Sequence, residues 1–470
     1  MQLRKALHLE EETPKPIIAL TGAGGKSTLL FKLGHELAGK RQQVMLTSTT
    51  RLWAHQKNLA PFSLIGQDPA LLAKELPIAL RGYRQVLVMA RPAPENKLGG
   101  LAPEAVCLLA GLPDVQAAVV EADGSRERPI KAPADHEPVM PVCATHVITV
   151  ASVAAVNQPL TSSWVHRPDR AASLTGLHAG DRLNEKAAAR LLLDPRGGLK
   201  GHLPAAQSYL YLNLTLTPNM PALEAQERRA TARRLASRVL RDRSQTTYRA
   251  VLIGNATSTS PVEEVHARVA GIVLAAGQSQ RFGPNQVKQL LPWGPNNTLL
   301  GHVVDTALAA PSLDLVIVVT GHAAHEVGRA IADRPVTVAV NPGWRAGQSS
   351  SLQTGLSAAR ASSPLLGAAL FLLADQPDVT AETIEAMIQV YRQSQAPVVA
   401  PIYQGGTRGN PVLFDNTTFP ELQALTGDVG GRPLIERLGQ AVHVVTIDLP
   451  QPMGIETMED YRQRVPGGAP

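Results

Sequence analysis

Cysteine is scarce in this chain. Cys107 and Cys143 are the whole supply in 470 residues. Neither sits in a Cys-x-x-Cys pair, which argues against structural zinc and against a disulfide framework. Two thiols in a chain of this size fit a reducing compartment and a cytoplasmic location. Long apolar runs are missing too. None approaches the roughly 18 residues that cross a bilayer. The start, Met1 to Glu11, lacks the sustained apolar core of a signal peptide. No membrane role is expected. Aromatic residues make up only 4%. Arginines do cluster, at Arg228, Arg229, Arg233, Arg234, Arg238, Arg241 and Arg243, with the spacing of a helix that has a cationic outer face. No aromatic interleaving or nucleic-acid-binding signature accompanies them, so they read as a solvated face, with no nucleic-acid partner. Anionic small-molecule substrates suit the net charge of +6 equally well.

Hydrophobic content of 44% and charged content of 18% describe an ordinary globular chain with ample core. The length favours two or three domains. Apolar strands alternate with helical patterns in both halves, which predicts an α/β fold with mostly parallel sheets. Asn255-Ala256-Thr257-Ser258-Thr259-Ser260-Pro261 reads as a linker. The expected division is therefore 1–255, a linker at 256–268, and 269–470.

In the second half a short apolar strand, Gly271 to Leu274, runs into Ala275-Ala276-Gly277-Gln278-Ser279-Gln280-Arg281-Phe282-Gly283, and Lys288 follows. Small residues let backbone N–H groups come close to a triphosphate. Arg281 and Lys288 add charge for the phosphates and for the charge that shifts during transfer. Leu274, Ala275, Ala276 and Gly277 are the candidate nucleotide contacts. Asp314 to Thr320 and Leu370 to Ala374 read as buried parallel strands. The second ends in Asp375-Gln376-Pro377-Asp378. A carboxylate at the C-terminal end of a central strand lies where open α/β sheets hold ligands. Asp375 is thus the first candidate ligand for Mg²⁺, which prefers carboxylate oxygen and water. Asp378 reads as a turn former or as the N-cap of the next helix.

The first half carries another glycine turn. The strand Pro16 to Leu20 leads into Thr21-Gly22-Ala23-Gly24-Gly25-Lys26-Ser27-Thr28, and Leu29, Leu30, Phe31 and Leu33 continue at helical spacing. Amides at a helix start favour an anion. Lys26 would reach phosphates and Ser27 a Mg²⁺ ion, with Gly22, Gly24, Gly25 and Thr28 around them. The position six before Lys26 is Leu20 rather than glycine, so the loop is shorter than the usual phosphate loop. A further strand, Val115 to Val120, ends in Glu121-Ala122-Asp123, which puts two carboxylates on the candidate metal side. Thr47 to Arg51 reads as turn and cap hydroxyls rather than phosphate contacts.

Residues from about 270 to 465 resemble the molybdenum cofactor cytidylyltransferases, nucleotidyltransferases of Rossmann-like fold. The resemblance rests on Leu274 to Gly283, Lys288 to Gly294, Asn341 to Trp344 with Gly347 to Leu352, Asp375-Gln376-Pro377, Gly409 to Phe414 and Leu425 to Arg432. The Leu-Ala-Ala-Gly form is closer to cytidylyl than to guanylyl transfer, where a second glycine is usual at the position of Ala276. The resemblance implies Mg²⁺-dependent transfer of CMP from CTP to molybdopterin or the molybdenum cofactor, with loss of pyrophosphate. It implies Arg281 on the β- and γ-phosphates, Lys288 on the α-phosphate and Asp375 on the metal. Thr320, Gly321, Gln348 and Ser349 would face the nucleotide. Gly409, Asn410, Pro411, Asp428 and Arg432 would face the pterin. One segment departs from the family, whose closing motif begins with an Asp. Here it reads Gly454-Ile455-Glu456, which makes Glu456 the candidate second ligand.

Residues from about 14 to 255 resemble the YqeC-type accessory proteins of selenium-dependent molybdenum hydroxylases. The matching segments are Thr21 to Thr28, Lys97 to Leu101, Glu121 to Pro138, His166-Arg167-Pro168 and Gly197 to Gly201. They imply a nucleotide-binding accessory module, with a purine NTP as ligand and a molybdenum hydroxylase apoenzyme as partner. Leu212-Asn213-Leu214-Thr215 lacks the Lys and Asp of the family's Asn-Lys-x-Asp-like element, so guanine recognition there has no support. Two other readings share these motifs. One is transfer from an NTP to a different phosphorylated small molecule. The other is a non-catalytic cofactor carrier or insertion chaperone.

Overall fold

The computed structural model describes residues 1–9, 15–39, 42–242, 248–283 and 286–466. The chain forms two compact units, Met1–His266 and Ala267–Pro470. Residues 256–263 carry neither helix nor strand, but the strand Glu264–Ala275 begins inside the expected linker and contains the division. Both units are α/β, as the strand–helix alternation predicts.

In the first unit the strands Phe62–Ile65, Gln85–Met89, Val44–Ser48, Ala117–Glu121, Ile17–Gly22, His146–Ser152, Gln207–Asn213 and Ala250–Gly254 lie side by side in that order, each parallel to the next. The central ones are buried along their length, so they read as continuous apolar runs rather than alternating ones. Ile17–Gly22 sits between Ala117–Glu121 and His146–Ser152. Its C-terminal end, where ligands collect in such sheets, is the glycine turn.

The arginine-rich helix, Ala222–Arg241, buries Ala232, Leu235, Ala236, Val239 and Leu240. Its cationic face is not simply solvated. Arg228, Arg229, Arg233 and Arg234 pair with Glu224, Glu263, Glu264 and Glu185. Most of these partners are remote in sequence, which is why the charge run reads as unopposed in the chain alone. Arg243 lies outside the described residues.

The cysteines correct an expectation. Cys107 and Cys143 form a disulfide, with Cα atoms 5.7 Å apart and a sequence separation of 36. Val106 and Ala110, beside Cys107, pack in the same apolar cluster as Ala144 and Cys143. Packing on one sheet face brings the thiols together, and spacing along the chain carries no trace of it. A reducing compartment therefore loses its support from unpaired thiols.

In the second unit the strand order is Thr337–Val340, Leu315–Thr320, Glu264–Ala275, Leu366–Leu373, Val412–Asp415, Val398–Ile402 and Val442–Thr446. Val412–Asp415 runs antiparallel to both neighbours, and the other pairings are parallel. Apolar clusters cover both faces of the sheet. Register sets Leu274 beside Leu373 and Ala275 beside Thr320, so the glycine turn and Asp375 leave the sheet together. Thr380, not Asp378, caps the helix Ala381–Ser394, and Asp378 pairs with Arg464. No helix among the described residues is long and apolar enough to cross a membrane.

Candidate active site and candidate nucleotide loop

The turn after Glu264–Ala275 is held by a side chain that the motif reading passed over. Gln289 is buried, and its Nε2 donates to the carbonyls of Ala275 (3.3 Å) and Gly277 (3.1 Å). The Lys288 amide donates to Ser279 Oγ at 3.3 Å. These bonds fix the open turn against the short 3₁₀ helix Lys288–Leu290 and set the position of Lys288. Lys288 Nζ lies 2.7 Å from Asp375 Oδ2. Arg281 reaches Glu456 at 2.7 Å, with both side chains more than half exposed.

The four charged groups line one cleft of about 850 Å³, together with Leu274, Ala276, Gly277, Trp344, Gln348 and Asp428. Asp428 accepts the Gln348 amide at 3.0 Å, joining the start of the helix Gln348–Ser362 to the cleft wall. A Cβ built on Gly454 would lie 3.2 Å from Glu456 Oε1 and 3.8 Å from Asp375 Cγ. The carboxylates of Asp375 and Glu456 thus converge on the one position of this segment that lacks a side chain.

Several expected contacts lie elsewhere. Ala275, Thr320, Gly321 and Ser349 are absent from the cleft lining. Thr320 is fully buried, and Ser349 Oγ is bonded to the Gly427 carbonyl at 2.7 Å. A Cβ on Gly321 would meet the Cβ atoms of Trp344 (2.7 Å) and Ala276 (2.8 Å), so this glycine packs the wall from behind. Gly409, Asn410, Pro411 and Arg432 also lie outside the lining, and Arg432 points outward to Glu436.

In the first unit the glycine turn opens the helix Lys26–Ala38. Gly22, Gly24 and Gly25 all have positive φ, a conformation that glycine adopts without penalty. Asn213 braces them. Its Nδ2 donates to the Gly24 carbonyl (2.7 Å), while its Oδ1 accepts from the amides of Thr215 and Ala256 at 3.2 Å each. A Cβ on Gly25 would come within 2.8 Å of Asn213 Nδ2. Lys26 is buried, bonded to the Gly22 carbonyl at 2.7 Å and close to Asp123 (3.4 Å) and Glu121 (3.8 Å). Ser27 Oγ donates to Glu121 Oε2 at 2.7 Å. Burial pushes the Glu121 carboxyl up, against the pull of Lys26 and Ser27. Thr28 is exposed on the first helical turn.

Asp123 is shared further. Its Oδ2 lies 3.1 Å from Lys131 Nζ, Lys131 pairs with Glu137 at 2.8 Å, and Arg167 grips both Glu137 oxygens (2.7 and 3.1 Å). Burial raises the Glu137 carboxyl, but the bonds from Arg167 and Lys131 outweigh it and hold the group down at about 2. Asp123 Oδ1 is buried and accepts no hydrogen bond, with Lys26 Nζ at 3.4 Å. The Thr47, Ser48 and Thr49 hydroxyls donate to the carbonyls of Val88, Glu121 and Val139, remote in sequence, rather than to the local partners of a turn or cap. Among the described residues no three His, Cys, Asp or Glu side chains gather as a metal cage.

Two family models match the chain in separate stretches. One, described as YqeC protein, covers residues 18–169, and the other, described as MobA-like NTP transferase domain, covers residues 271–442. The chain is a fusion of the two. The MobA-like domain makes the protein a nucleotidyltransferase, and Arg281, Lys288 and Asp375 all fall within it. The YqeC domain contains the glycine turn, Glu121 and Asp123. The chain is similar to "Uncharacterized protein YqeC" of Escherichia coli (strain K12), 29% identical over 197 residues, 42% of this chain and 75% of the relative. It is also similar to two solved structures. The rv0371c homologue from Mycobacterium sp. strain JC1 is 32% identical, with a TM-score of 0.38, over 42% of this chain and 95% of that one. Rv0371c from Mycobacterium tuberculosis H37Rv is 32% identical, with a TM-score of 0.38, over 42% of this chain and 97% of that one.

Proposed function

We propose that the MobA-like domain transfers CMP from CTP to the terminal phosphate of molybdopterin or its metal-bound form. The observation that carries this is the paired charge set of the cleft, Lys288 with Asp375 and Arg281 with Glu456. Without substrate, each cation neutralises a carboxylate. With CTP seated, Lys288 turns to the α-phosphate and Arg281 to the β- and γ-phosphates. The carboxylates are then released. Asp375 and Glu456 would hold Mg²⁺, whose remaining positions go to water and phosphate oxygen. The ion supplies charge neutralisation at the phosphates. The convergence of the two carboxylates on Gly454 fits this donor set.

The acceptor supplies the nucleophile. One of its phosphate oxygens bonds to the α-phosphorus, the bond from that phosphorus to the bridging oxygen breaks, and pyrophosphate leaves with the electron pair. No catalytic Ser or Cys is needed, because positioning and charge stabilisation do the work. The Leu-Ala-Ala-Gly form, with Ala276 where guanylyl transfer usually has a second glycine, supports CTP as the donor. Mass spectrometry of the acceptor after incubation with CTP and Mg²⁺ tests the reading. Addition of one CMP unit is expected, and an unmodified acceptor contradicts it.

The YqeC domain, in the same proposal, binds a purine NTP as an accessory module for a molybdenum hydroxylase apoenzyme. The loop amides and Lys26 would take the phosphates. Ser27, Glu121 and Asp123 would take Mg²⁺, with Asp123 Oδ1 released from its ion pair as Lys26 moves to the phosphates.

A further inference from the structure

We infer that the YqeC domain carries a groove that seats the base and ribose of a nucleoside triphosphate. This rests on the proposed role of the Thr21–Lys26 turn in holding its phosphates. The groove encloses about 530 Å³, within the range of small-molecule sites. One wall is the helix Lys26–Ala38, where Ser27, Thr28, Phe31 and His35 form a stripe at three- and four-residue spacing. The other wall is the segment from Gln56 to Pro61. The groove therefore begins at the first helical residues after the glycine turn and follows the helix for about 12 Å, at 1.5 Å per residue. That is the direction and length a ribose and base need once the phosphates are fixed at the helix start.

Two features point to a base. Gln85 lines the groove and is only 4% exposed, yet its Nε2 has no hydrogen-bond partner. A buried N–H left unpaired is unfavourable. A base carbonyl or ring nitrogen supplies the missing acceptor. Leu59 and Pro61 offer apolar surface at the rim although Leu59 is 60% exposed, and Phe31 lies opposite on the helix. Asn213, where the sequence directs a search for base recognition, is already committed to Gly24, Thr215 and Ala256. The groove gives the base a different address.

Equilibrium binding to the full chain tests this, with Lys288→Ala and Asp375→Ala present to silence the other site. The probes are inorganic triphosphate, ATP, GTP and CTP, each with Mg²⁺. A nucleotide is expected to bind at least about tenfold more tightly than inorganic triphosphate. Gln85→Leu should remove about three- to tenfold of that margin, the worth of one hydrogen bond. Its unfolding temperature should hold or rise, since the lone amide is replaced by an apolar group. Leu59→Glu, at an exposed position, should also cut the margin while inorganic triphosphate binds as before. Equal binding of triphosphate and all nucleotides overturns the groove and leaves the loop reading intact. A margin that survives both groove variants overturns it as well. If triphosphate and nucleotides all fail to bind, the loop reading falls and the groove falls with it.

Discussion

At the scale of single residues, the cleft of the MobA-like domain stores its reactive charges as pairs. Lys288 and Asp375 are mostly buried partners, whereas Arg281 and Glu456 meet in the open. Lys288→Ala and Asp375→Ala should each lower pyrophosphate release by about a hundredfold or more, since each removes stabilisation that grows in the transition state. Glu456→Ala should cost less, because water can fill its metal position. Near-normal turnover in Asp375→Ala would place the metal elsewhere. Gly454 allows a sharper trial. An aspartate there projects between the two carboxylates, so Gly454→Asp should recover part of the activity lost in Glu456→Ala. No recovery in the double variant argues that Glu456 acts on Arg281 alone.

At the scale of elements, both glycine turns are held by an amide side chain from another segment, Gln289 in one and Asn213 in the other. The turns themselves were legible, because strand, glycines and cation follow one another in the chain. Their braces were not. Gln289 stands beside Lys288 in the motif but has no recognisable chemistry, and Asn213 lies 189 residues from Gly24. The Cys107–Cys143 bond and the carboxylate partners of the arginine helix were hidden for the same reason.

The same elements of the first unit set its pH dependence. Burial first, with Arg249 adding at His146 and with Arg167 and Lys131 adding at His166, holds His146, His166 and His202 down from 6.5 to about 4. The unfolded chain binds protons between those values and the folded chain does not. The contribution of these rings to stability is therefore full above about pH 6.5 and is lost as pH drops towards 4. The loss is partly offset by Glu121 and Glu36, whose burial raises their carboxyls and favours the folded state as pH falls. Glu137, depressed from 4.5 to about 2, extends the loss further into acid. The unfolding temperature should drop between pH 7 and 4.5. In His202→Gln the slope over that range should be shallower by about one proton. A flat profile in the parent chain contradicts the burial of these rings.

At the scale of the whole molecule, the alternation of strands and helices gave both α/β units. Strand order came only from the structure, since a strand's neighbours are set by crossovers that periodicity does not record. The antiparallel strand Val412–Asp415 is one example. The placement of Thr320, Gly321 and Ser349 behind the cleft wall is another, because a motif shows which residues recur and not which way they face. Each unit contains its own candidate site. Lys26→Ala should leave pyrophosphate release unchanged while removing nucleotide binding by the first unit. Loss of both would show that the sites are coupled. The most direct test of the central claim is pyrophosphate release by the full chain with molybdopterin or its metal-bound form, Mg²⁺ and each NTP in turn. Release with CTP, dependent on acceptor, is the predicted result. Release with GTP in preference to CTP, or none with any nucleotide, would contradict it.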